Sequence, residues 1–475
     1  MSGPTSLAGR HVLIAGFGRA GAAAARAGLV AGARVTVYDD DPQVLADRVA
    51  ARMGDSVATI TDAGQAFAGQ PPDVLVASPG LPPTTPLLLA AQRAGVPVWS
   101  EPELAWRLLS GRTRLLAVTG TNGKTTTTEL LAACLSAPAA GNIGQPLSAL
   151  VEAPPPLVVA ELSSFQLHYI HTLRADVAVV VNVADDHLDW HGDAAAYAAA
   201  KARIFERQRS AGAPGLGGRD WAVTNADDPG AVRLTQAYPP RAGRATFTLG
   251  PPARNAVGIL DGVLVERCTT DQPTPVVAVN ALGVRGAHNV ANAAAATAAA
   301  LAAGVAPAAL ARPLSAARVG AHRLEVVAER QSVRWINDSK ATNPHAAAAA
   351  LRSFDSVVWI AGGLNKGLSF APLGNVIADR VRLALTIGSA GPELAALTRA
   401  SGIETVEAGD LDTAVAVART RAQPGDVVLL APACASMDQF ADYAERGDRF
   451  RALVTASEPG GPSPAMEPGA AELRA

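Results

Sequence analysis

Short apolar runs rich in β-branched residues alternate along this chain with longer Ala- and Leu-rich stretches, a pattern that predicts parallel sheets covered by helices. The runs His11–Ala15, Arg34–Tyr38 and Val74–Ala77 are expected as strands of a first unit. Arg114–Val118, Leu157–Ala160 and Ala178–Val183 are assigned to a second. A third opens after Arg318–Gly320, with strands at Val333–Asn337, Ser356–Ala361, Leu383–Ile387 and Asp426–Ala431. Pro- and Gly-rich stretches at Ala211–Gly218, Gly250–Pro252 and Asp271–Pro275 read as surface loops, and the tail Glu458–Pro468 reads as disordered. The Ala runs Ala22–Ala25, Ala293–Ala296 and Ala346–Ala350 read as packing helices. No repeat of fixed period is present, although a strand–turn–helix theme opens all three units.

Composition narrows the class. With 475 residues, 49% of them apolar, the chain is long enough for two to four units of roughly 100–200 residues each. Forty basic side chains against 42 acidic ones leave a net charge of -2, so nothing in the overall charge points to nucleic acid or an anionic membrane. Cys134, Cys268 and Cys434 lie far apart and form no CxxC pair, which argues against a disulfide framework or a thiolate zinc site and fits a reducing compartment. The N-terminus lacks the basic start and apolar run of a signal peptide, and no apolar stretch is long enough to span a bilayer. A soluble, cytoplasmic protein without membrane insertion is expected.

The sharpest chemical signal is Leu115–Val118 running into Thr119-Gly120-Thr121-Asn122-Gly123-Lys124-Thr125-Thr126. A strand, a Gly-containing turn and a helix start present backbone N–H groups to phosphate oxygens; Lys124 adds a point charge and the Thr125 hydroxyl suits Mg²⁺. Val118 stands where the usual GxxxxGK[ST] pattern has its first Gly, and the bland alternative is a tight turn capped by Thr. Gly16-Phe17-Gly18-Arg19-Ala20-Gly21, followed by Asp39-Asp40-Asp41, fits a dinucleotide, another diphosphate ligand, or a purely structural turn.

Glu161 closes an apolar strand in the same unit as the phosphate loop, where it can hold Mg²⁺ beside Thr125. His187, within Asn182–Asp189, also follows a strand, and a single His there is either a ligand or structural. Asn289 can simply be an N-cap, and His322–Glu325 a domain-linking salt-bridge segment. Asn337–Pro344 is a denser run of donors and acceptors, favouring a ligand loop. From its surroundings in sequence, Lys201 reads as a solvated helix lysine.

Together these segments resemble the Mur ligase family over nearly the whole chain, from Gly16 to about Phe450. The phosphate loop is shared with folylpolyglutamate synthetases. Glu161–Leu167, Asn337–Asn343 and Pro432–Phe440 resemble the branch that adds D-glutamate. The resemblance implies three α/β domains, each a mainly parallel sheet flanked by helices: a Rossmann-like UDP-substrate domain at 1–102, a P-loop-type ATP domain at 103–319 and a Rossmann-like amino-acid domain at 320–456, then a disordered tail at 457–475. It implies an ATP-dependent C–N ligase of cell-wall synthesis that is expected as a monomer, with UDP-N-acetylmuramoyl-L-alanine and D-glutamate as substrates and two Mg²⁺ sites.

By the same resemblance, Lys124, Glu161, His187 and Lys201 are catalytic, with Lys201 carbamylated, and Thr125, Glu161, His187 and Lys201 serve the metals. Gly120, Thr121, Asn122, Gly123, Lys124, Thr125, Thr126, Asn292, Arg323, Asp338 and Lys340 are implied to contact the nucleotide. Gly18, Arg19, Ala20, Asp39, Ser78, Pro79, Gly80 and Asn142 are implied to contact the UDP-sugar; Thr342, Lys366, Ser436 and Tyr443, the last where the family has Phe, are implied to hold D-glutamate. Domain closure is expected, with hinges near Glu101–Leu104 and Arg318–Gly320. An NAD-dependent oxidoreductase, a folylpolyglutamate synthetase and a non-catalytic binding protein remain as alternatives.

Overall fold

Strands His11–Ala15, Arg34–Tyr38 and Val74–Ala77 form where the apolar runs place them, and they are buried on both faces because helices cover both. The computed structural model describes residues 6–210, 220–318 and 320–456. The loop read at Ala211–Gly218 and the tail from 457 onward lie outside the described residues. The chain divides into two compact units, Met1–Val319 and Gly320–Ala475.

The first unit holds two sheets. A five-stranded parallel sheet runs in the order Ala58–Ile60, Arg34–Tyr38, His11–Ala15, Val74–Ala77, Val98–Ser100. A nine-stranded sheet has Arg114–Thr119 between Leu157–Glu161 and Val177–Val180, all parallel. It continues through Trp221–Asn225, Gly243–Phe247 and Ala256–Leu260 to an antiparallel edge, Val263–Glu266 and Thr274–Ala278. One buried apolar cluster runs through residues of both sheets, from Leu7 and Val12 through Leu104 and Leu109 to Val158 and Ala178. A second packs the buried helix Ala287–Ala302, with its run Ala293–Ala296, onto the nine-stranded sheet.

The second unit is a six-stranded sheet in the order Glu325–Arg330, Val333–Asn337, Val427–Leu430, Val357–Gly362, Val381–Ile387, Glu404–Gly409. Only the first pair is antiparallel. Separate apolar clusters fill its two faces.

Two expectations change. Thr274–Ala278 extends into the segment read as a loop, and Pro275 is tolerated because that strand is the sheet edge, where a missing N–H costs no ladder bond. Glu101–Leu104 is not a free hinge: it is the buried first turn of helix Glu101–Leu109. Within it, Glu103 accepts hydrogen bonds from the backbone N–H groups of His171, Thr172 and Leu173, the Thr172 hydroxyl and Arg107. Burial pushes the Glu103 carboxyl upward, but these donors outweigh it and hold the pKa below the usual carboxylate value. The boundary read between residues 102 and 103 therefore falls inside a helix, while the hinge read at Arg318–Gly320 includes Val319, outside the described residues. No helix among the described residues is long and apolar enough to cross a membrane.

Candidate functional site

Strand Arg114–Thr119 ends in a turn that Gly123 closes at φ 79°, a left-handed conformation serving as N-cap of helix Lys124–Leu135. A Cβ on Gly123 would lie 2.3 Å from the Asn292 Oδ1, so glycine is also required by close packing. Asn122 and Asn182 lock the turn to the neighbouring strand end: Asn122 N–H donates to the Asn182 side chain at 2.8 Å, and the Asn182 amide donates back at 3.0 Å. Lys124 Nζ donates to the carbonyls of Gly120 (2.9 Å) and Thr121 (2.7 Å).

Lys201 donates to the same Gly120 carbonyl at 2.8 Å and is 1% exposed. Its residue-level reading as a solvated lysine is thus overturned. Tyr197, one helical turn earlier, lies under the ammonium at 4.4 Å from the ring centroid, and its hydroxyl meets Thr121 Oγ1 at 3.0 Å, so the helix face points into the phosphate loop. Burial holds the Lys201 pKa well below the ordinary lysine value and the Lys124 charge acts in the same direction, against Asp186 and Glu161.

Glu161 ends the adjacent strand, in register with Val118, and is buried. Asn142 donates to its Oε1 at 2.8 Å, while its Oε2 is buried with no hydrogen-bond partner among the described residues. Such an oxygen is suited to a cation. His187 follows the third strand end at φ 54°, its ring 4.6 Å from Phe165 and its Nε2 3.7 Å from an Asp186 oxygen. Lys124, Lys201, Glu161 and the Asp186–His187 pair therefore gather at the carboxyl ends of three adjacent parallel strands, the edge where open α/β sheets hold ligands. No cluster of three or more His, Cys, Asp or Glu groups positioned to hold a metal occurs among the described residues; the set read for the metals also draws on Thr125 and Lys201.

In the five-stranded sheet, Gly18, Arg19, Ala20, Asp39, Ser78, Pro79 and Gly80 all line one cavity of about 350 Å³. Gly16, at φ 87°, would clash with Ser78 if it carried a Cβ, and Asp39 accepts from the Phe17 N–H at 2.8 Å, which fixes the turn. Asn142 is not in that lining, and its amide is committed to Glu161.

In the second unit the segments following Asn337, Gly362 and Leu430 leave the same end of the parallel sheet and carry Asp338, Lys340, Thr342, Lys366 and Ser436. Burial raises the Asp338 pKa to about 7 against the Leu324 N–H and the Arg323 charge. Lys340 Nζ stands 3.7 Å from the Tyr443 ring centroid. Asn343 caps helix Pro344–Leu351. The sequence reading missed Arg446: buried, it donates to Ser339 Oγ and O (both 3.0 Å), Cys434 O (3.2 Å) and Ala435 O (3.3 Å), tying two of these loops together. Nothing in its local sequence marks it, whereas Tyr197 is visible as the residue four before Lys201.

One bland reading also changes. Asn289 lies inside helix Ala287–Ala302, whose N-cap is Gly286, and donates to Arg285 O. His322 is buried within the second unit, where its Nδ1 meets the Asn337 amide at 2.9 Å, and Glu325 of the same segment pairs with Arg451.

Comparison with known proteins gives a consistent result. A family profile described as the Mur ligase middle domain matches residues 118–300, and one described as the Mur ligase glutamate ligase domain matches 322–434. The chain is 49% identical over 464 residues to a UDP-N-acetylmuramoylalanine–D-glutamate ligase of Frankia casuarinae, covering 95% of both proteins. It is 42% identical to the enzyme of the same name from Streptomyces coelicolor, over 95% of this chain and 99% of that one. Among solved structures it resembles UDP-N-acetylmuramate-alanine ligase MurC of Thermotoga maritima (TM-score 0.56, 19% identity, 93% of this chain and 98% of the other). Escherichia coli FolC, solved with DHPP and ADP, gives a TM-score of 0.52 at 21% identity over 74% of this chain and 91% of that one. At those identities the structural likeness is one of fold.

Proposed function

Because the chain belongs to the Mur ligase family, we propose that it is an ATP-dependent ligase joining D-glutamate to UDP-N-acetylmuramoyl-L-alanine, a step of peptidoglycan synthesis. A carboxylate is a poor electrophile, so the terminal phosphoryl group of ATP passes to the alanyl carboxylate. The D-glutamate amine attacks that acyl phosphate, and phosphate leaves from the tetrahedral intermediate. Little covalent work falls to the protein, and catalysis rests on positioning and charge neutralisation.

The phosphate loop from Gly120 to Thr126 cradles the phosphates, with Lys124 as the charge on them. Bound Mg²⁺ supplies further neutralisation of phosphate charge. Glu161, with its unpartnered buried oxygen, and Thr125 fit one ion; His187 and Lys201 serve a second. A neutral Lys201 amine adds carbon dioxide and releases a proton, and the carbamate presents an anion where a buried ammonium is disfavoured; the lowered pKa supports this. Asn292, Arg323, Asp338 and Lys340 contact the nucleotide. The cavity at Gly18–Ala20, Asp39 and Ser78–Gly80 takes the uridine diphosphate, while Asn142 orients Glu161. Thr342, Lys366, Ser436 and Tyr443 hold D-glutamate, whose two carboxylates need several donors and one cation. An amino-acid domain at 320–456 and a cytoplasmic monomer complete the reading.

The observation that carries it is the meeting of Lys124 and Lys201 on one loop carbonyl beside Glu161. The test is phosphate release from ATP with the UDP-sugar-alanine acceptor and a panel of D- and L-amino acids. Release dependent on both acceptor and D-glutamate is expected; equal release without the acceptor would refute the assignment.

A further inference from the structure

At the opposite edge of the nine-stranded sheet lies a cavity of about 840 Å³ lined by Arg107, Arg112, Arg114, Arg174, Arg207 and Arg209. It sits where strands Arg114–Thr119, Leu157–Glu161 and Val177–Val180 begin, roughly 20 Å from the phosphate loop by the length of a six-residue strand. Three carboxylates meet these six guanidinium groups. Asp176 and Asp220 are shared by Arg114, Arg174 and Arg209, and Glu103 pairs with Arg107. Arg112 donates to the Leu108 carbonyl, and neither it nor Arg207 has a carboxylate partner among the described residues.

The cavity therefore concentrates positive charge on a chain whose net charge is -2. Thr113, also in the lining, has a buried hydroxyl without a hydrogen-bond partner among the described residues, which is costly unless a ligand or water completes it. Guanidinium forks match phosphate oxygens two at a time, and six spread around a space of this size exceed what one phosphate can engage.

We propose that this cavity is a further anion site, separate from the phosphate loop and from the cavity at Gly18–Ala20, for a soluble ligand bearing two or more linked phosphate groups. The partnered arginines form its fixed wall, and Arg112 and Arg207 supply the unneutralised charge. The site depends on no part of the assigned reaction, so failure of either reading leaves the other standing.

Titration calorimetry of the full chain with inorganic tripolyphosphate tests it. The phosphate loop is also a polyphosphate site, so the titration is made in a Lys124→Ala background. Binding is expected to persist there and to weaken about tenfold when Arg112→Ala and Arg207→Ala are added, any loss of threefold or more counting in favour. Orthophosphate at equal ionic strength is expected to bind at least tenfold more weakly than tripolyphosphate. Both arginines are exposed, so an unchanged circular dichroism spectrum and Tm identify a folded variant. Absence of tripolyphosphate binding in the Lys124→Ala protein, a loss below threefold in a folded triple variant, or orthophosphate binding within tenfold of tripolyphosphate would each overturn the proposal.

Discussion

Two amines on one backbone oxygen make an unusual residue-level arrangement, since Lys124 and Lys201 repel each other unless one gives up its charge. Lys201 is the one whose pKa is lowered, first by burial to 1% exposure and then by the Lys124 charge. Lys201→Ala is expected to lower turnover by about 100-fold, with partial recovery on adding chloride or a small carboxylate that restores an anion. Full activity without such addition would remove the carbamate from the mechanism. In sequence, Lys201 lies among alanines and nothing local separates it from a solvated lysine; its burial comes from Tyr197, Thr121 and Gly120, the last two some eighty residues away. Lys124 and Glu161 were legible because their strand, turn and helix are contiguous, so local pattern and chemistry coincide.

At the scale of elements, helix Glu101–Leu109 carries two buried carboxylates of opposite character. Glu103 has donors on every side, whereas Glu101 has the Ser148 N–H on one oxygen and no partner among the described residues on the other. Burial, opposed by Ser148, raises the Glu101 pKa from 4.5 to about 7. A carboxyl whose folded pKa is raised contributes stability that is complete below pH 4.5 and lost as pH climbs through 7. Glu101→Gln should abolish that loss, making the variant more stable than the parent at pH 8 by up to about 3 kcal/mol and closer to it at pH 4.5, measured by urea unfolding. An identical difference at both pH values would refute the titration. The strands beside the chemical motifs were readable from apolar runs, while Trp221–Asn225 through Thr274–Ala278 were not assigned. Those strands are polar at their ends and interrupted by Gly and Pro, and their pairing depends on contacts with a sheet already formed.

Across the whole molecule, the apolar clusters decide what can stand alone. One cluster runs through both sheets of the first unit, so the sequence division near residue 102 does not divide its core. The second unit fills both faces of its own sheet. A fragment of residues 320–456 is expected to unfold in a single cooperative calorimetric transition of roughly 90 kcal/mol, whereas a broad transition with strong binding of a hydrophobic dye would show that it lacks an independent core. The number of units was approachable from length and alternation, but sharing of a core is a property of packing that no local pattern records. Arg446 carries a consequence for how this protein can be re-engineered. One guanidinium holds the carbonyls of Ser339, Cys434 and Ala435, so the two loops are held as a pair. A chimera that grafts a foreign loop for a different amino acid onto only one of them severs a shared tether, and specificity transplants will succeed when both loops and the arginine travel together.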